Sequence, residues 1–120
     1  MTVTVRSLDD AEPIELPRGS WSRMLVTDGA VAGNRASLGC SLFTPCTELE
    51  PVRHETEEVA YVVSGSGELR LDGGAVPFRA GDALHIPARV WHAVANTGAE
   101  DVVMVFGFPH PAYPPTERRG

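Results

Sequence analysis

The chain has 120 residues, 42% hydrophobic and 22% charged, with a formal net charge of −6. All ten basic residues are arginine, and neither lysine nor glutamine occurs. This excludes Schiff-base and pyridoxal-phosphate chemistry, a lysine general base and a Walker-type P-loop, because each needs an ε-amine.

The N-terminus, MTVTVRSLDD, has no basic start followed by an apolar stretch, so no secretory signal is read and a cytoplasmic location is expected. No segment reaches the roughly 18 apolar residues of a membrane span. The acidic balance and the scattered arginines argue against a nucleic-acid partner. The length predicts one domain: an N-terminal arm over 1–20, a barrel over 21–108 and a proline-rich C-terminal arm over 109–120. Strand signals recur at short spacing over 21–27, 36–43, 59–63, 67–71, 76–78, 83–86, 91–95 and 102–108, and helical periodicity is absent. Cys40, alternating with Leu38 and Leu42, reads as core filler, and Cys40 and Cys46 read as free thiols. Asp72-Gly73-Gly74 predicts a tight hairpin, Ser64-Gly65-Ser66-Gly67 and Ala80-Gly81-Asp82 further turns. Many short strands with even turns indicate an all-β sandwich or barrel. The strands at 59–63 and 102–106 are apolar on both faces, so something covers their outer side. A homodimer is the expectation, with wrapping by the first twenty residues as the alternative.

Chemistry gathers between positions 54 and 92. His54 precedes Glu58 by four residues in RHETEE, and His92 follows a strand that opens at Gly81-Asp82 and closes at Pro87. Two imidazoles and a carboxylate from separate strands can converge on one cation and leave open positions for water, substrate or oxygen. Iron, manganese, nickel, cobalt and zinc all suit such a set; each residue taken singly reads rather as surface or hydrogen-bonded filler, and it is the three together, spaced around the glycine turns, that point to a site.

These residues resemble the cupin family. Its first motif is a histidine pair spaced by one residue, three or four residues, glutamate, six residues and glycine; His54, Glu58 and Gly65 fall in register with the second histidine, the glutamate and the glycine. Its second motif places glycine, proline, glycine, histidine and asparagine at a spacing that Gly81, Pro87, His92 and Asn96 match. The resemblance implies a double-stranded β-helix (jelly-roll) barrel with a cavity open at one end. It also implies one divalent metal ion held by His54, Glu58 and His92. Two positions depart from the pattern. Val52 stands where the first histidine belongs, and Arg89 replaces the glycine after the second-motif proline, where a positive φ would strain an arginine. His85 alternates with Ala83 and is expected either to face the cavity or to be a hydrogen-bonded core histidine. Cys46, where the family often has glycine, is a candidate for the cavity rim. Trp91 is expected to point away from the cavity, Asp82 to cap its turn, and Arg89 and His110 to be exposed.

The expected function is a metal-dependent small-molecule enzyme of the cupin type: an oxygenase, cyclase, isomerase or lyase acting on a small organic, polyketide-like substrate. The alternative is a non-catalytic small-molecule-binding cupin in which Val52 marks the lost ligand.

Overall fold

Glycine-bearing turns cut the chain into short strands, and two layers result. The computed structural model describes residues 2–119. In chain order the strands are β1 (Ile14–Glu15), β2 (Trp21–Val26), β3 (Ser37–Phe43), β4 (Val52–His54), β5 (Glu58–Ser64), β6 (Ser66–Leu71), β7 (Gly74–Arg79), β8 (Ala83–Ile86), β9 (His92–Ala95), β10 (Val102–Phe108) and β11 (Thr116–Arg118). Two 3-10 turns, Leu8–Asp10 and Pro17–Gly19, precede β1 and β2. Among the described residues no helix is long and apolar enough to cross a membrane.

All the pairings are antiparallel. One sheet has the order β1-β2-β3-β10-β5-β8 and the other β11-β4-β9-β6-β7. This is the all-β architecture expected from the strand pattern and the jelly roll that the family resemblance implies. The Asp72-Gly73 link joins β6 to β7 as a two-residue hairpin, with Leu71 paired to Gly74 and Gly73 at φ +82°. Gly65 switches the chain from one sheet to the other at φ +84°, and a Cβ there would run into the Asp101 carbonyl and Val102. Asp82 caps the β7–β8 turn by accepting the Arg79 N–H at 3.0 Å.

The core lies between the sheets around Phe43, Val62, Phe78, Val102, Met104 and Phe106. Val62 and Val102 are wholly buried, and each such side chain contributes roughly 1.5–3 kcal/mol relative to exposure. Asn96 is 3% exposed. Its Nδ2 donates to the Phe43 and Glu100 carbonyls, and its Oδ1 accepts the Gly98 N–H, which fixes the loop before β10.

Three expectations are corrected. Cys40 is not core filler: on β3 the buried residues are Ser37, Gly39, Ser41 and Phe43, and Leu38, Cys40 and Leu42 face outward. The interior at Gly39 has no room for more, because a Cβ there would meet the Phe106 ring. The segment from 109 onward is more than an extended arm, since it returns to the five-stranded sheet and adds β11 against β4. His110 is half-buried within it, its Nδ1 in reach of the Ala112 backbone, rather than exposed. Both cysteines are free thiols.

Candidate metal centre

His54 is the last residue of β4 and His92 the first of β9, both in the five-stranded sheet, and Glu58 opens β5 in the facing sheet. Short strands ending at turns therefore bring the three side chains to one end of the inter-sheet cavity. His54 and His92 are 4% and 6% exposed. Glu58 Oε1 stands 3.2 Å from His54 Nε2 and 3.5 Å from His92 Nε2, and one ligand atom from each residue lies within 4.8 Å of the others.

Hydrogen bonds assign the proton on each ring. Thr116 Oγ1 donates its single proton to the Pro114 carbonyl at 2.8 Å, so at 2.7 Å it accepts from His54 Nδ1–H. His92 Nδ1–H donates to the Val90 carbonyl at 2.9 Å. In their neutral forms both rings thus turn an Nε2 lone pair toward the Glu58 carboxylate. Three buried acceptors aimed at one another repel unless a proton or a cation stands among them. Two donors bonded to one first-row cation at about 2.1 Å are about 3.0–3.4 Å apart at octahedral to tetrahedral angles. The two Glu58–histidine separations lie at or close to this span, so these three side chains could hold a metal ion.

In the metal-free protein a ring proton takes the cation's place. Burial pushes the Glu58 carboxyl up, but hydrogen bonds and charge from His54 and His92 outweigh it and hold the pKa below the ordinary value. Burial pulls His92 down, and Glu58 together with the Val90 carbonyl more than reverses it, so His92 is raised.

Around these polar groups the cavity, about 100 Å³, is mostly apolar, with Phe43, Leu69, Ile86, Phe106 and Phe108 among its walls. Ser22 and Ser41, 2.6 Å apart through their hydroxyls, add the other polar lining, and among the described residues no arginine lines it. Val52 also lines it, opposite His92 in the strand pairing and two residues before His54, so an apolar side chain occupies the place of a fourth donor.

The remaining candidates separate from the site. His85 is a surface residue that neither faces the cavity nor enters the core: its side chain is 59% exposed and pairs with Glu57 at 2.9 Å. On β8 the inward positions belong to Leu84 and Ile86. Arg89 adopts φ +66°, and its guanidinium meets Glu55 in solvent at 2.8 Å. Cys46 is exposed at φ +69° and does not line the cavity. The positive φ explains why glycine suits both positions. Trp91 points outward, stacked between Arg53 and Arg119 at 4.7 and 4.1 Å.

Tyr113 and Thr116, on the C-terminal segment, carry no motif in the sequence, yet both reach the site. The Tyr113 ring packs edge-on against His54 with centroids 5.4 Å apart. Arg119 to Asp72 at 2.7 Å and Arg53 to Glu117 at 2.8 Å hold the segment down from outside.

Residues 41–108 match the sequence model of the family Cupin_2, cupin domain. The chain is 36% identical over 90 residues to the polyketide synthase CurC of Streptomyces cyaneus, covering 74% of this chain and 58% of that protein. It therefore spans little more than half the length of that curated relative. The polyketide cyclase RemF of Streptomyces resistomycificus superposes with a TM-score of 0.80 at 21% identity, over 100% of this chain and 87% of that one. Oxalate decarboxylase of Bacillus subtilis, examined for its Mn(II) centres, superposes with a TM-score of 0.80 at 25% identity, over 92% of this chain and 30% of that one.

Proposed function

Because the chain belongs to the cupin domain family, we propose that it is a metal-dependent small-molecule enzyme whose one divalent ion is held by His54, Glu58 and His92. The observation that carries this reading is the pair of Nε2 lone pairs turned by Thr116 and Val90 onto a buried carboxylate. With both rings neutral that arrangement is costly without a cation and ready-made for one with it. When bound, the ion would supply Lewis-acid or oxygen-activating chemistry at the open positions that three protein ligands leave.

The chain's own residues support one substrate class. Apart from the ligand set, the walls carry no charge among the described residues, so the body of the substrate is neutral and apolar. Phe43, Phe106, Phe108 and Tyr113 suit an aromatic ring. At about 100 Å³ the cavity is smaller than one of about 150 Å³ that accommodates benzene, so part of the substrate enters it, with the rest toward the mouth. The Ser22–Ser41 pair shares one of its two hydroxyl protons internally, leaving the other for a carbonyl or hydroxyl oxygen on that ring. Tyr113 covers His54 and limits water there. An oxygenated aromatic compound of polyketide type meets these requirements, and the likenesses to CurC and RemF support the same class.

Val52 favours a second reading, a non-catalytic binding module that has given up the metal. Metal analysis of the purified, reconstituted protein beside H54A and H92A separates the two. The enzyme reading expects about one ion per chain in the parent and its loss in both variants. No metal after reconstitution with iron, manganese, nickel, cobalt or zinc selects the binding module, and metal that survives both substitutions refutes the site.

A further inference from the structure

Val52 is flanked by the two histidines. It lies two residues before His54 on β4, so both side chains leave the strand on the same face, and it pairs directly with His92 on β9. All three line the cavity. The Val52 side chain ends at its γ-methyls, two bonds short of the Nε2 that a histidine there would carry, and it offers no lone pair. The place beside His54 and His92 is therefore left without a protein donor. The remaining walls do not supply one: outside the ligand set, no imidazole, carboxylate or thiol lines the cavity among the described residues. Its other polar side chains are the hydroxyls of Ser22, Ser41 and Tyr113. A six-coordinate ion on His54, Glu58 and His92 thus keeps about three positions, one more than a fourth protein donor would leave.

Charge restricts what takes those positions. A ligating carboxylate is ionised and a ligating imidazole neutral, so a divalent ion on this set leaves the centre with one surplus positive charge. Among the described residues the walls hold no charged group to offset it, nor one to offset a second negative charge. An unpaired buried charge is expensive, so the ligand that suits the centre carries a single negative charge. Two oxygens on one molecule fill two positions together, because the second contact forms within the same complex. Resting on the metal reading above, we propose that the site selects a substrate that binds as a monoanion through two neighbouring oxygens, an ortho-acyl phenol or the enol of a β-dicarbonyl, and that Val52 keeps one further position for water beside it. On binding, the O–H bond of the phenol or enol breaks, its proton leaves to solvent, and that oxygen and the neighbouring carbonyl oxygen become ligands; nothing is oxidised or reduced. The conjugated body lies against Phe43, Phe106 and Phe108. A simple phenol or ketone brings one oxygen only, and a ligand with two ionised oxygens leaves an unpaired negative charge between apolar walls.

The test loads the full chain with manganese and counts exchangeable waters on the ion by water-proton relaxation. The parent is expected to hold about three, V52H about two, and V52A, which shortens the side chain without adding a donor, about three again. Saturation with ortho-hydroxyacetophenone is expected to leave about one water in the parent and none in V52H. The para isomer has the same composition with its oxygens too far apart to chelate, and is expected to bind about 100-fold or more weakly in calorimetry. Calorimetry at neutral pH in buffers of different ionisation enthalpy is expected to show release of about one proton per ortho isomer bound, since a free phenol is protonated there. Circular dichroism checks that each variant's barrel is intact. A parent that takes up no manganese overturns the metal reading and this proposal with it. A manganese-loaded parent that binds the two isomers alike, releases no proton, or holds the same number of waters as V52H overturns this proposal alone.

Discussion

Replacing Thr116 by valine keeps the side chain's shape and removes the one acceptor available to the His54 Nδ1–H. His54 is 4% exposed, so no solvent takes over that proton. An orphaned buried donor costs about 1–3 kcal/mol. The ring relieves this cost by carrying its proton on Nε2 instead or by rotating. Either response withdraws the lone pair that faces Glu58 across 3.2 Å. Losing a partner of this kind lowers metal affinity by about 10–100-fold, or about 1.4–2.7 kcal/mol. The measurement is a competition titration of the metal-free protein against chelator-buffered zinc or manganese, with imidazole ¹⁵N shifts reporting which nitrogen carries the proton. T116S retains an oxygen acceptor and is expected to bind like the parent. T116V binding as tightly as the parent refutes the reasoning, and so does an equal loss in T116S.

Metal-free stability should depend on pH in a defined direction. Glu58's contribution is present above its ordinary 4.5 and is lost as pH falls through its lowered folded value; His92's is present below its ordinary 6.5 and is lost as pH rises through its raised folded value. The melting temperature therefore peaks between these limits, and saturating metal reverses the upper limb because neutral imidazole is the ligand; calorimetry showing the metal-free protein gaining stability above neutral pH contradicts this. V52H places a fourth donor opposite His92, and its metal affinity is expected to rise about tenfold or more, the equivalent of about 1.4 kcal/mol; an unchanged isotherm means that Val52 does not occupy a ligand position. N96A removes three hydrogen bonds, one buried and two part-buried, and is expected to cost about 2–4 kcal/mol in denaturant unfolding, with a loss below about 1 kcal/mol counting against the clamp.

Strand positions were legible wherever apolar runs ended in glycine turns: 83–86 and 102–108 coincide with β8 and β10. His54, Glu58 and His92 were legible because fixed spacing around those turns fixes where each strand begins or ends. Orientation was less accessible. On β8 the parity that suggested an inward His85 fails, since Leu84 and Ile86 claim the cavity side. On β3 the usual rule of apolar side chains inward inverts, because the Phe106 ring fills the interior at Gly39 and the outer face is itself apolar. β4 went unseen because its three residues, Val-Arg-His, show no alternation to read. Thr116 and Tyr113 could not be found at all: Thr116 lies 62 residues from His54, and only the folded chain makes them neighbours.

The Thr116–His54 hydrogen bond also makes docking of the C-terminal segment and filling of the site one linked equilibrium. By reciprocity, whatever factor a seated segment adds to metal affinity, the bound ion returns to the stability of the seat. Arg118 and Arg119 sit at the far end of that segment, so the rate at which trypsin trims the C-terminus becomes a gauge of occupancy, slowing as the metal is loaded. A protease that never approaches the cavity would in this way report on what it holds.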